Sequence, residues 1–445
     1  MIEVGLNQQK ALILHPRIID GRQNPDVIKA SAYALEEAVN LSEALSVDVV
    51  SAKIVPLRDI KAGAYFGKGK IEEIKSEIKA LDVEIVAING NISPIQQRNL
   101  ERLWKVKVVD RTGLILEIFA LRAATKEGRL QVELARQVYE RSRLVRTWTH
   151  LERQRGGQGF LAGPGETQIE ADRRMLATKI GRLKRDLEDV RRTRGLQRAK
   201  RKRAPERIVA LVGYTNAGKS SLFNHLTKGG VMAKDMLFAT LDTTHRILEL
   251  PAGSPAILSD TVGFISDLPT HLIDAFRATL EEVREADLLL HVRDISDELS
   301  DDRREDVLSV LRTIKAGPEF GQALVEVWNK SDLLGDMDYA QFEERAKAST
   351  ELEDLPSAVL TSCLNKSGLE DLRILIEHEL SKHDEVMNVS ILPKDYAARA
   401  WVHQNGIVMH EDARRSGACD IKVRLSPADA GKFRARYPHL LVPKL

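Results

Sequence analysis

The sequence predicts an α/β protein in four parts. They are an N-terminal α/β domain over residues 1–110, a long antiparallel helical hairpin over 111–205, a central phosphate-loop α/β domain over 206–384, and a small α+β domain over 385–445. Three observations carry this. Short β-rich runs alternate with helical spacing through the first hundred residues; two charged stretches then place apolar residues at steps of three and four; and an apolar strand near 207–212 runs into a glycine-rich loop and a helix. With 445 residues, 43% apolar and 30% charged, the chain is long enough for several cores of a soluble globular kind. The opening "MIEVGLNQQK" carries no apolar leader core, and no stretch approaches the roughly 18 apolar residues of a membrane span. Cys363 and Cys419 are too few for a disulfide framework or a cysteine-rich metal site. A reducing cytosol is the expected compartment, with peripheral attachment to a membrane as the variant and no membrane insertion.

In the first part, "KALILHPRI" (10–18), "VDVVSAKIVPL" (47–57), "VEIVAING" (83–90) and "KVKVVD" (105–110) read as strands. Residues 26–45 and 69–81 between them have helical spacing, so a largely parallel sheet follows. "GKGK" at Gly67–Lys70 lacks the Walker spacing and reads as a turn feeding a helix.

The pattern changes after Arg111. Leu130, Leu134 and Val138, then Val145 and Trp148, recur at helical spacing. A second helix is expected from Thr167, where Thr167 and Glu170 read as a capping box behind Pro164. Ile169, Leu176, Ile180, Leu183, Leu187 and Val190 then form an a/d seam. Two seams joined by one loop make a hairpin whose tip is "RGGQGFLAGPG", residues 155–165. That tip displays Phe160 and Leu161, which point to a partner with bases to stack on, or else to a neighbouring domain onto which the tip folds.

Net charge is only +2, yet residues 179–207 hold thirteen basic and four acidic side chains, leaving the other residues at −7. Such a block suggests a polyanion, with Arg191, Arg192, Arg198, Lys200, Arg201, Lys202 and Arg203 as phosphate contacts; a solvated helix face or linker is the plainer alternative.

"RIVALVGYTNAGKSSLFNHL" contains Gly213-x-x-x-x-Gly218-Lys219-Ser220 between a strand and a helix. Gly213, Tyr214, Thr215, Asn216, Ala217, Gly218 and Ser221 line the expected phosphate cradle. Lys219 reaches the β/γ oxygens as a catalytic group, and the Ser220 hydroxyl suits Mg2+. Asn329-Lys330-x-Asp332 follows the apolar run "ALVEVW"; the Asp332 carboxylate can accept from guanine N1–H and the 2-amino group, which selects GTP and GDP over ATP. Ser362, Cys363 and Leu364 sit where a last loop could offer N–H groups to guanine O6. In "SDTVGF", Asp260 suits the Mg2+ shell, Thr261 and Val262 lead on, and Gly263 can present its N–H to the γ-phosphate. Thr240 is the expected switch threonine on Mg2+, with Thr243 and Thr244 as nearby competitors. Together these motifs describe a P-loop GTPase domain, with a mostly parallel sheet and helices on both faces. Phe264 stands where Ras-like GTPases carry a water-orienting glutamine, so unaided hydrolysis is expected to be slow. Asn216 resembles the asparagine with which some bacterial GTPases hold an activating K+; a local backbone cap is the other reading.

Beyond these motifs, "FGKGKIEEI" (66–74), "SPIQQRNLE" (93–101), "DRTGLILEIFALRA" (110–123), "GRLQVELA" (128–135) and "GPGETQIEADRR" (163–174) resemble the signatures of the HflX family of translation-factor-related GTPases. "YERSRL" (139–144) and Thr243 each lack a proline common in that family. The resemblance, over residues from about 60 to 370, implies a GTPase of the large ribosomal subunit that splits stalled ribosomes under stress, with the hairpin tip directed at the peptidyl-transferase region through rRNA contacts. A monomer is expected. Two other functions stay open on the residues alone: a signalling switch with a protein effector, and a GTPase in RNA processing. After Asp384, "NVSILP", a helix from Lys394, "GIVMHE", "DIKVRL" and "SPADAGKFRARY" suggest a ferredoxin-like α+β domain.

Overall fold

The computed structural model describes residues 9–19, 25–152, 164–201, 207–227, 238, 244–253, 255–265, 277–351, 356–414 and 417–440. The chain divides into two compact units. One comprises Met1–Gly195 with Lys234–Asp242 and Ser266–Ala278; the other comprises Leu196–Ala233, Thr243–Ile265 and Thr279–Leu445.

In the first unit, β1 (Lys10–Ile18), β2 (Asp48–Leu57), β3 (Ile85–Ile88) and β4 (Lys107–Asp110) form an all-parallel sheet in the order β2-β1-β3-β4. Helices α1 (Pro25–Glu43) and α4 (Arg111–Arg122) supply Ala38 and Leu114 to one face, against Ala11, Ile13 and Ala87. Helices α2 (Lys68–Ala80) and α3 (Pro94–Trp104) supply Ile74, Ile78, Leu100 and Trp104 to the other. The "GKGK" stretch is a helix start, with Gly67 as the N-cap of α2. Helix α3 is additional to the helices expected from apolar spacing, and its signal is local: Pro94 in the first turn and a Ser93/Gln96 capping box.

The order of this sheet reverses between β1 and β3, where open α/β sheets commonly bind ligands at the carboxyl ends of strands. Here protein groups occupy that crevice. Asn89 Nδ2 meets His15 Nδ1 at 3.1 Å and donates to the Ala34 carbonyl at 2.7 Å, while Arg111 donates to Asn89 Oδ1 at 2.8 Å and to Glu37 at 2.6 Å. A Cβ on Gly90 would already meet the Tyr65 hydroxyl at 3.1 Å.

Helices α5 (Lys126–Glu152) and α6 (Pro164–Arg201) are the hairpin arms. Their shared core holds Leu134, Ile180, Leu183 and Leu187, with Leu130 and Val138 packed against it, which are the middle positions of the expected seam; Leu176 and Val190 are not part of this core, and the side chains of Val145, Trp148 and Ile169 lie outside the described residues. A Lys179–Glu133 ion pair at 2.5 Å flanks it. The first arm is anchored midway along its length: the Tyr139 hydroxyl donates to Asp110 at 2.7 Å and Arg143 reaches the other carboxylate oxygen at 3.0 Å. Asp110 also caps α4 through the Gly113 N–H at 2.8 Å. One expectation is corrected. Helix α6 begins at Pro164, so Thr167 lies inside it and Thr167/Glu170 is not its cap. Proline suits a first turn because its missing N–H would have no helical partner there. Phe160, Leu161, Lys202 and Arg203 lie outside the described residues, as do the side chains of Arg191, Arg198, Lys200 and Arg201; Arg192 is exposed.

In the second unit a six-stranded sheet runs β10-β9-β8-β5-β7-β6. Its strands are β5 (Arg207–Gly213), β6 (Thr244–Glu249), β7 (Pro255–Asp260), β8 (Leu288–Asp294), β9 (Ala323–Asn329) and β10 (Ala358–Leu360), all parallel but β6. The central strands are apolar on both faces, as parallel strands covered by helices must be. Val209, Leu211, Leu258, Leu290 and Val325 form the core with Leu222, Phe223 and Leu226 of α7 (Lys219–Thr227). Helix α8 (Arg277–Glu285), α9 (Ser300–Thr313), α10 (Asp336–Glu351) and α11 (Leu369–Ser381) complete this layer structure.

The chain then forms β11 (Glu385–Ile391), α12 (Tyr396–Asn405), β12 (Ile407–Ala413), β13 (Cys419–Leu425) and α13 (Pro427–Arg436). The antiparallel order β11-β13-β12, with the first strand beside the third, is a ferredoxin-like arrangement without a fourth strand among the described residues. No described helix is long and apolar enough to cross a membrane.

Candidate nucleotide site

Strand β5 ends at Gly213, whose φ of +148° brings the loop against the neighbouring strand; a Cβ there would meet the Val292 carbonyl oxygen at 2.2 Å. The loop turns through Asn216, exposed with φ +61°, and Gly218, with φ +97°. A Cβ on Gly218 would lie 2.1 Å from Asn329 Nδ2. Only glycine fits, because Asn329 crosses behind the loop and donates to the Ala217 carbonyl at 2.8 Å.

Lys219 opens α7 and its ammonium donates to the Tyr214 carbonyl at 2.6 Å. Burial pulls its pKa down to about 8, against the opposing pull of Asp260. Ser220 Oγ donates to Asp260 Oδ2 at 2.8 Å, at the fully buried end of β7. Two adjacent oxygen donors beside a phosphate loop fit Mg2+, which is a hard cation and is usually held by few protein oxygens plus phosphates and water. The third expected donor, Thr240, lies outside the described residues, as does Thr243; Thr244 begins β6 and pairs with Asp260 in the sheet. Thr261 donates to the Leu211 carbonyl at 2.5 Å, fixing the end of β7 beside β5.

The residues expected to read the base converge on the same loop from β9 and the turn after β10. Asn329 Oδ1 accepts the Cys363 N–H at 3.3 Å, and Ser362 Oγ donates to Asp332. Lys330, with φ +64°, pairs with Asp294 at 2.7 Å. Leu364 is exposed beside them. Burial pushes the Cys363 thiol up to about 11, so this cysteine stays a neutral thiol. The Cys363 N–H that could serve guanine O6 here faces Asn329.

Behind the loop lies a charged group that belongs to none of the sequence motifs. Glu326 of β9 accepts from Arg293 at 2.8 Å, from Arg304 at 2.5 Å and from the Trp328 indole at 2.9 Å. Burial alone would raise the Glu326 pKa, but Arg293, His291 and Arg304 hold it down at about 2. Burial lowers His291 to about 3, so it is neutral. Arg303 stacks over the Tyr214 ring at 4.8 Å and pairs with Asp297, bracing the outer side of the phosphate loop. The available signal was the charge inside otherwise apolar strands, His291 and Arg293 in β8 and Glu326 in β9.

The lowered pKa of Lys219 has a measurable consequence. Phosphate oxygens favour the ammonium form, so binding raises the pKa of a lysine that is only partly charged near pH 8. Nucleotide binding at pH 8 is expected to take up about half a proton, falling toward zero at pH 6, and affinity weakens as pH rises past 8. Calorimetry in buffers of different ionisation enthalpy reads the uptake directly; none at pH 8 would contradict the assignment.

Comparison with known proteins adds to this geometry. Residues 32–120 match a family model described as GTP-binding GTPase N-terminal, residues 122–201 one described as GTP-binding GTPase middle region, and residues 208–330 one described as 50S ribosome-binding GTPase. The chain is 53% identical over 300 residues to the GTPase HflX of Magnetococcus marinus, covering 67% of this chain and 69% of that protein. It is 42% identical over 377 residues to the GTPase HflX of Escherichia coli, covering 85% and 86%. A crystal structure of a GTP-binding protein from Sulfolobus solfataricus in complex with GDP is 25% identical, covering 84% of this chain and 99% of that one, with a TM-score of 0.45.

Proposed function

Because the chain belongs to the HflX family of GTPases, we propose that it docks on the large ribosomal subunit and couples its GTP-bound state to the splitting of stalled ribosomes, the hairpin tip acting at the peptidyl-transferase region. The observation that carries this is the second hairpin arm. Residues 179–207 concentrate thirteen basic against four acidic side chains on a chain that is otherwise acidic, next to the phosphate loop in sequence. The description of the matched nucleotide domain as a 50S ribosome-binding GTPase supports the same partner.

GTP hydrolysis follows from the site. Lys219 neutralises β/γ oxygens, the loop N–H groups cradle the phosphates, and Asp332 with Asn329 reads the base. Mg2+, held through Ser220 and Asp260, would spread the charge of the leaving group. Phe264 has no group to orient water, so the isolated protein turns over slowly and the partner completes the site.

The test is cosedimentation with ribosomal subunits in the presence of a non-hydrolysable GTP analogue. Binding is expected to the large subunit and to fall by about three orders of magnitude between about 50 and 200 mM salt, since each phosphate contact releases counterions. Salt-independent binding would identify a protein surface as the main partner, and no binding at any salt would leave a signalling switch as the better reading.

A further inference from the structure

The segment that should meet the γ-phosphate is already joined to the phosphate loop. The Phe264 N–H donates to the Gly213 carbonyl at 3.1 Å, and the Thr215 N–H donates to the Phe264 carbonyl at 2.7 Å. These bonds make a short parallel bridge between Tyr214 and Phe264. Phe264 and Ile265 are only 3% and 2% exposed, so burial of two large side chains backs the bridge.

Gly263 is consequently pressed onto the loop. A Cβ placed on it would lie 2.9 Å from Thr215 Cγ2, 3.0 Å from Lys219 Nζ and 3.1 Å from Thr215 Cα. In the GTP-bound arrangement a phosphoryl group has to sit between the lysine ammonium and this glycine's N–H. In the bridged arrangement this glycine instead lies close against Thr215 and the lysine, and the ammonium is bonded to the Tyr214 carbonyl at 2.6 Å.

We infer that Thr261–Phe264 is an autoinhibitory latch: with Phe264 bridged to Gly213 and Thr215, the segment occupies the γ-phosphate position, so the protein admits GDP while GTP must first pull the latch open. This rests on the reading of the site as a guanine-nucleotide site and goes beyond it. The hydrophobic residue that stands in the glutamine's place then has a positive role, as the buried anchor of the closed state. GTP binds only the open fraction, so its apparent dissociation constant is raised by the inverse of that fraction. GDP ends at the β-phosphate and escapes this penalty.

The experiment compares a fluorescent GDP with a fluorescent non-hydrolysable GTP analogue on the full chain. Phe264→Ala removes the anchor; it is expected to tighten the GTP analogue about five- to tenfold while GDP changes less than about twofold. Phe264→Leu, which keeps an apolar anchor, should stay near wild type. Retained GDP affinity reports that the variant is folded. Equal effects on both nucleotides, or none on either, overturn the latch, whereas a wild type that binds neither nucleotide overturns the guanine site itself. Hydrogen exchange on the wild type gives a reading independent of any variant. The amides of Thr215 and Phe264 should be protected with GDP, and that of Phe264 should exchange at least about tenfold faster with the GTP analogue. Equal protection of Phe264 in both states rules the latch out.

Discussion

Asp332→Asn exchanges the nucleotide that the protein prefers: GTP affinity falls by about 100-fold and xanthosine triphosphate becomes the better ligand. The carboxylate can take both guanine donors, N1–H and the 2-amino group, and the amide cannot take both without leaving a buried group unmatched. Xanthine carries an oxygen where guanine carries the amino group, and the new Nδ2 donates to it. The scaffold survives the change. Asp332 is oriented by the Ser362 hydroxyl, and an amide oxygen can accept that same bond. Asn329 and its bonds to Ala217 and Cys363 are left alone. Titration of the variant with both nucleotides decides the matter. Unchanged selectivity would mean that Asp332 does not read the base.

If the proposed function holds, replacing residues 155–165 with a tight turn is expected to separate ribosome splitting from GTP hydrolysis: splitting falls to background while nucleotide affinity and unaided hydrolysis stay within about twofold of wild type. The tip lies outside every phosphate- and base-recognition motif. Its supporting helices end at Glu152 and begin again at Pro164, held by the Leu134, Ile180, Leu183 and Leu187 core and, midway along the first arm, by Tyr139 and Arg143 on Asp110. A shorter turn takes the first two residues of α6, Pro164 and Gly165, along with the tip, and leaves the core that keeps the arms in register. Ribosome binding is expected to weaken only partly, since the basic residues of the second arm are retained. Light scattering for subunit separation, run beside a phosphate-release assay, gives both numbers. Normal splitting by the shortened protein would make the tip a connector.

The sequence determined the elements whose signal is local. The four N-terminal strands, the hairpin seam and the strand–loop–helix around Lys219 follow from periodicity and glycine spacing, which the backbone enforces within a few residues. A helix start is less secure. Pro164 and Thr167 both carry a valid N-terminal signal, and the structure begins α6 at the earlier one. Helix α3 hid behind a short apolar pattern although its capping box was in view. What only the tertiary structure decided depends on register between strands far apart in sequence. His291 sits opposite Glu326 because β8 pairs with β9 in one register, which gathers Arg293 and Arg304 on a single carboxylate behind the phosphate loop. Gly218 must be glycine because Asn329, 111 positions later in the chain, passes where its side chain would be. Phe264 could be read as a missing catalytic group, but its bonds to Gly213 and Thr215 exist only because β7 lies beside β5 and delivers the next residues onto the loop. Local sequence sets which conformations a segment prefers, whereas the pairing of distant strands sets which side chains share a space, and the chemistry of this site depends on that sharing.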